Sequence, residues 1–96
     1  ELVGRARAGD FAAFDELVGK YQNRVHALAH RIVGSAHDAE DVTQQTFLSA
    51  VEHLRSFRGD APFAGWLLRV AANHALKALR KRRGLPTVSA DAEEGY

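Results

Sequence analysis

The sequence predicts an all-α fold, a compact bundle of three main helices preceded by a short N-terminal helix. Three observations lead there. Apolar residues recur at three- and four-residue steps along most of the chain. Residues that start or stop helices stand at the edges of those stretches. No segment alternates apolar and polar residues with a period of two, and there is no internal repeat.

Leu2, Val3, Ala6 and Ala8 mark a short leading helix that ends near Gly9. Asp10 is suited to cap the next helix, whose apolar side runs through Phe11, Phe14, Leu17, Val18, Tyr21, Val25, Leu28, Ile32 and Val33. Gly34 is suited to close it in a left-handed conformation. A third helix starts at Ser35, whose hydroxyl can cap while Asp38 completes a capping box. Its buried side is expected to be Ala39, Thr43, Thr46, Phe47, Ala50 and Leu54. Gly59 and Asp60 place a loop between Ser56 and Ala61, and Pro62 fits the first turn of a last helix. That helix is expected to bury Phe63, Leu67, Val70, Ala71, His74 and Ala78, and to end near Gly84. Residues 1–84 thus read as one domain. Residues 85–96, rich in Pro, Ser, Ala and acids, read as a linker or tail.

Composition narrows the function classes. With 96 residues, 46% of them hydrophobic, the chain can bury one core and is not a disordered tract. The absence of Cys excludes a disulfide framework and fits a reducing cytoplasmic setting. No apolar run approaches the roughly 20 residues that span a bilayer.

The net charge of +1 conceals a separation of charge. Ser35 to Leu54 holds four acids and neither Lys nor Arg, whereas Trp66 to Arg83 holds six Lys or Arg and no acid. On the third helix Asp38, Asp41, Gln44, Gln45, Leu48 and Glu52 share the face opposite the core, a polar ring around one apolar anchor. Such a face can bind a protein, or simply be solvated and suited to its helix dipole.

On the last helix Arg69, Asn73, Leu76, Arg80 and Arg83 fall on one side, flanked by Lys77, Lys81 and Arg82. Cations in a stripe neutralise phosphates, and an asparagine amide can read a base edge. The stripe begins well before the last turn, so complementing the helix dipole does not account for it. The loop adds Phe57, Arg58, Gly59 and Asp60. Aromatic and guanidinium planes hold unstacked bases, which favours single-stranded or melted nucleic acid. Phe57 and Phe63 can equally be core residues, Phe63 more readily than Phe57.

Catalytic and metal constellations are wanting. His26 and His30 share a helix face, but no adjoining Glu makes a zinc-protease motif. His74 lies on the apolar stripe, as a satisfied histidine near the core would. No serine stands in a nucleophile elbow and no Gly-rich phosphate loop is present. A non-enzymatic chain without cofactors is expected.

The segments ARAGDFAAFDELVGKYQNRVHALAHRIVG, DAEDVTQQTFLSAV and FRGDAPFAGWLLRVAANHAL, followed by KRR, resemble region 2 of bacterial sigma factors, above all the extracytoplasmic-function group. The resemblance runs from about Leu2 to Arg83 in order. It implies a transcription initiation domain. Asp38, Asp41, Gln44, Gln45 and Leu48 would then dock on the β′ clamp helices of core RNA polymerase. The loop Phe57, Arg58, Gly59 and Asp60 would capture a flipped nontemplate base of the promoter −10 element. Asn73 would help read that element, while Arg69, Lys77, Arg80 and Lys81 hold phosphates. An anti-sigma factor is a further partner common among such proteins.

Two departures qualify the transfer. Gln45 stands where the family usually has an acid, and the aromatics that melt DNA in housekeeping sigma factors are sparse, Trp66 alone remaining. A helix-turn-helix domain for the −35 element is not in the sequence, so a fragment ending at the interdomain linker is expected. The competing readings are a helical protein-interaction adaptor whose basic helix merely solubilises, and a His-dependent metalloenzyme.

Overall fold

Asp10 begins the main architecture. Its carboxylate accepts from the Ala13 amide at 3.2 Å and also pairs with Arg5, which donates through Nε and Nη2 at 3.1 and 3.0 Å. The cap thereby ties the short helix α1 (Leu2–Arg7) to α2 (Phe11–Val33). The remaining elements are α3 (Ala36–His53), a 3₁₀ turn (Leu54–Ser56) and α4 (Phe63–Arg82). The computed structural model describes residues 1–59 and 62–84, and among these there is no strand. The expected linker at 85–96 lies outside the described residues, as do Asp60 and Ala61.

Two residues turn α2 into α3. Gly34 takes φ +75°, a conformation that costs side chains with a Cβ, and its amide donates to His30 O at 2.8 Å. Ser35 follows as N-cap, its Oγ accepting from the Asp38 amide at 3.3 Å. Only half of the expected capping box forms, because the Asp38 carboxylate turns to Arg82 instead.

Helices α2, α3 and α4 pack on one another, and α1 closes one end against α2. The larger core cluster includes Leu17, Val25, Ala50, Leu54, Leu67 and Val70. A smaller one at the other end holds Ala29, Val33, Ala39, Val42 and Ala75. A fully buried Leu such as Leu67 contributes about 1.5–3 kcal/mol. The expected stripes are close to those observed, with shifts. Val42, Trp66 and Ala75 are buried, whereas Thr43, Phe47, His74 and Ala78 are half-buried at the margins. Thr46, the buried polar residue of the described core, donates its hydroxyl to Val42 O at 2.7 Å and so satisfies itself.

Candidate functional site

Helix α3 presents the face expected of it. Ala39, Val42, Thr46 and Ala50 go inward, and Leu48, on the opposite side, is 62% exposed. Asp41, Gln44, Gln45 and Glu52 are exposed around it. His37 Nε2 lies 3.9 Å from the Asp41 carboxylate, one turn along the helix. Asp38 differs. Its Oδ2 accepts from Arg82 Nη1 at 2.7 Å, so this acid is engaged within the fold rather than waiting on the surface.

Helix α4 carries the basic face. Arg69 and Arg80 are exposed, Asn73 and Lys77 are half-buried, and Leu76 stands out between them. The steps of four, three and four from Arg69 through Asn73 and Leu76 to Arg80 keep one side of the helix. Lys81, also exposed, borders a shallow groove of about 310 Å³ whose other wall includes Asp41 and Gln45. The acidic and basic faces therefore adjoin, and Arg82 bridges them. Its Nη1 also donates to Val33 O at 3.0 Å, stitching the end of α4 to the end of α2 and the start of α3.

The loop before α4 departs from expectation at Phe57. Its ring is 7% exposed and packs on Phe63 at 5.8 Å, edge to face, and on Trp66 at 5.2 Å. Burying three aromatic rings together outweighs leaving one in water, so Phe57 anchors the loop and offers no face to a base. Trp66 is buried in the same cluster and is equally withdrawn as a melting aromatic. Arg58 and Gly59 are exposed beyond the anchor, Gly59 at φ +81°. The remaining loop candidate, Asp60, lies outside the described residues.

His74 holds a structural place: Ser49 Oγ lies 2.7 Å from its Nε2, a hydrogen bond that joins α3 to α4. His26 and His30 stack at 6.3 Å, and among the described residues no three His, Asp or Glu side chains gather as a metal site. No described helix is long and apolar enough to cross a membrane.

The sigma-70 region 2 family profile matches residues 17–84. The chain belongs to the sigma-70 region 2 family. Relatives of this region 2 chain include the RNA polymerase sigma-H factor of Pseudomonas aeruginosa, 44% identical over 86 residues, 90% of this chain and 45% of the relative. The ECF RNA polymerase sigma factor SigW of Bacillus subtilis is 33% identical over 91 residues, 95% of this chain and 48% of its own. The ECF RNA polymerase sigma-E factor of Escherichia coli is 44% identical over 94 residues, 97% and 49% of the two chains. The region 2 chain thus spans about half the length of the curated relatives it matches. Its fold resembles an engineered region 2 of sigmaE solved by NMR in complex with GTAAAA. There the TM-score is 0.77 at 42% identity, covering 85% of this chain and 87% of that one.

Two exposed apolar side chains fall outside the expected region 2 surface, Phe11 at 81% and Val51 at 42%. Val51, three residues from Leu48, was within reach of periodicity. Phe11 matched the apolar pattern of α2 but, at the first helical position, projects past the core.

Proposed function

We propose that this region 2 chain is the part of a cytoplasmic transcription initiation factor that docks on core RNA polymerase and holds the opened −10 promoter element. It does no bond chemistry of its own. Helix α3 meets the β′ clamp helices through Asp41, Gln44, Gln45 and Leu48, with Asp38 orienting the helix from within. Helix α4 holds the nontemplate strand, Arg69, Arg80 and Lys81 against phosphates, Lys77 flanking them, and Asn73 at a base edge. Arg58 and Gly59, exposed beyond the Phe57 anchor, receive a flipped base, a role the sequence extends to Asp60. An anti-sigma factor would act by covering either face.

The observation that carries this reading is the exposure of Leu48 among carboxylates and amides on one helix, beside a cationic stripe on the next. The likeness to a region 2 that was solved in complex with GTAAAA supports the second half. Base flipping costs a few kcal/mol. With Phe57 buried, hydrogen bonds at the loop rim and Asn73 must supply what ring stacking otherwise would.

Capture of purified core polymerase tests the docking half. Leu48→Arg should abolish capture with an unchanged helical spectrum, and undiminished capture would remove this face from the reading. Anisotropy with single-stranded GTAAAA tests the other half. Neutralising about three phosphates gives a log-affinity slope of roughly −2 against log salt. No measurable binding, with capture intact, would make the chain a protein-interaction adaptor.

A further inference from the structure

Phe11 is the most exposed large apolar residue among those described, and it is not isolated. It lines a notch of about 170 Å³ with Phe14, Val51 and Leu54, flanked by Arg7 and Arg55 and by Asp10, whose carboxylate is already paired with Arg5. Val51 is three residues beyond Leu48 on α3, on the flank that faces α1 and the start of α2. Leu48, Val51 and Phe11 therefore make one apolar strip that leaves the acidic face and crosses onto the neighbouring helix. Glu52 stays on the other flank, toward α4.

The charges along this strip change sign. Asp41, exposed, stands at its α3 N-terminal end. Arg55 and Arg7 stand at the other, both exposed, and they also line a second hollow of about 300 Å³ next to the notch. Exposed cations beside an exposed phenylalanine fit an acidic group and an apolar side chain arriving together.

We propose that the polymerase-docking surface extends past α3 into this notch. Its occupant is the same helical segment of polymerase that covers Leu48. The proposal rests on the docking reading above and specifies the partner: basic residues over Asp41, an apolar residue seated against Phe11 and Val51, and a carboxylate between Arg7 and Arg55. Asp41 and Arg55 are 14 positions apart, so the segment needs about 21 Å of helix at roughly 1.5 Å per residue. The apolar seat supplies binding energy, and the sign change fixes which way the partner helix runs.

Affinity for purified core polymerase tests this, with GTAAAA binding and thermal melting measured alongside. Phe11→Ala removes an exposed ring, so folding is preserved, and it should weaken polymerase binding about tenfold. Arg55→Glu combined with Arg7→Glu should weaken it comparably at low salt and less at high salt. Both variants should bind GTAAAA like the parent. If Leu48→Arg abolishes capture while these variants bind polymerase normally, the extension is wrong and α3 docking stands. If Leu48→Arg also leaves capture intact, the docking reading fails and the extension with it. Loss of GTAAAA affinity with polymerase binding unchanged would assign the notch to nucleic acid and overturn the proposal.

Discussion

Arg82 reaches Asp38 at 2.7 Å across 44 residues of sequence, and the same nitrogen holds Val33 O at 3.0 Å. One guanidinium thus ties the end of α4 to both the end of α2 and the start of α3. The pair is partly exposed, so the ion pair itself contributes about 0.5 kcal/mol, with about 1 kcal/mol more from the hydrogen bond to Val33. Arg82→Met should lower the melting temperature by about 6–12 °C. A double-mutant cycle with Asp38→Asn should return a coupling energy of about 0.5 kcal/mol, and zero coupling would show the contact to be incidental.

Base reading and phosphate holding separate on α4. Asn73→Ala should flatten discrimination among −10 variants, whereas Arg80→Ala should weaken all of them alike and make the salt slope shallower by about 0.7. Titration of both variants against a panel of hexanucleotides decides. The same affinity profile from the two would cancel the assignment of Asn73.

Phe57 and Arg58 are neighbours with opposite duties. Phe57→Ala leaves a hole among Phe63 and Trp66 and should cost about 3 kcal/mol of stability. Arg58→Ala should leave the melting curve in place and reduce affinity for GTAAAA only. A denaturant titration beside a binding curve distinguishes them, and equal stability losses would refute the anchor role.

Asp10 gives a pH signature. The Ala13 amide, and then Arg5, hold its carboxyl below the ordinary 3.8. A depressed folded value means the stabilisation is fully present above 3.8 and disappears as pH falls through the lower folded value. Asp10→Asn keeps a good cap without the charge. The melting-temperature advantage of the parent chain over this variant should therefore be flat near neutrality and shrink below pH 3.8. An advantage unchanged in acid would contradict the depressed carboxyl.

Local chemistry made most of this legible from sequence. Asp10, Gly34 and Ser35 announce helix ends because capping depends on residues one to four apart, and the structure uses all three in those places. The exposed face around Leu48 followed from the helical period alone. What periodicity could not supply was contact between distant segments. It placed Thr43 inward where Val42 goes, because α4 approaches α3 slightly to one side of the apolar stripe. It could not choose between core and surface for Phe57, since a loop has no period, and the answer came from Phe63 and Trp66. Nor could it spend Asp38 on Arg82, a bond that exists only once three helices have assembled.

The two-residue corner at Gly34 and Ser35 bears on how quickly the molecule assembles. It brings α2 and α3 together with almost no intervening chain to close, so the first pairing is local in sequence and loses little entropy. Helical domains organised in this way refold within microseconds to milliseconds. A freshly synthesised chain would spend correspondingly little time with Leu17, Val25 and Leu67 open to aggregation.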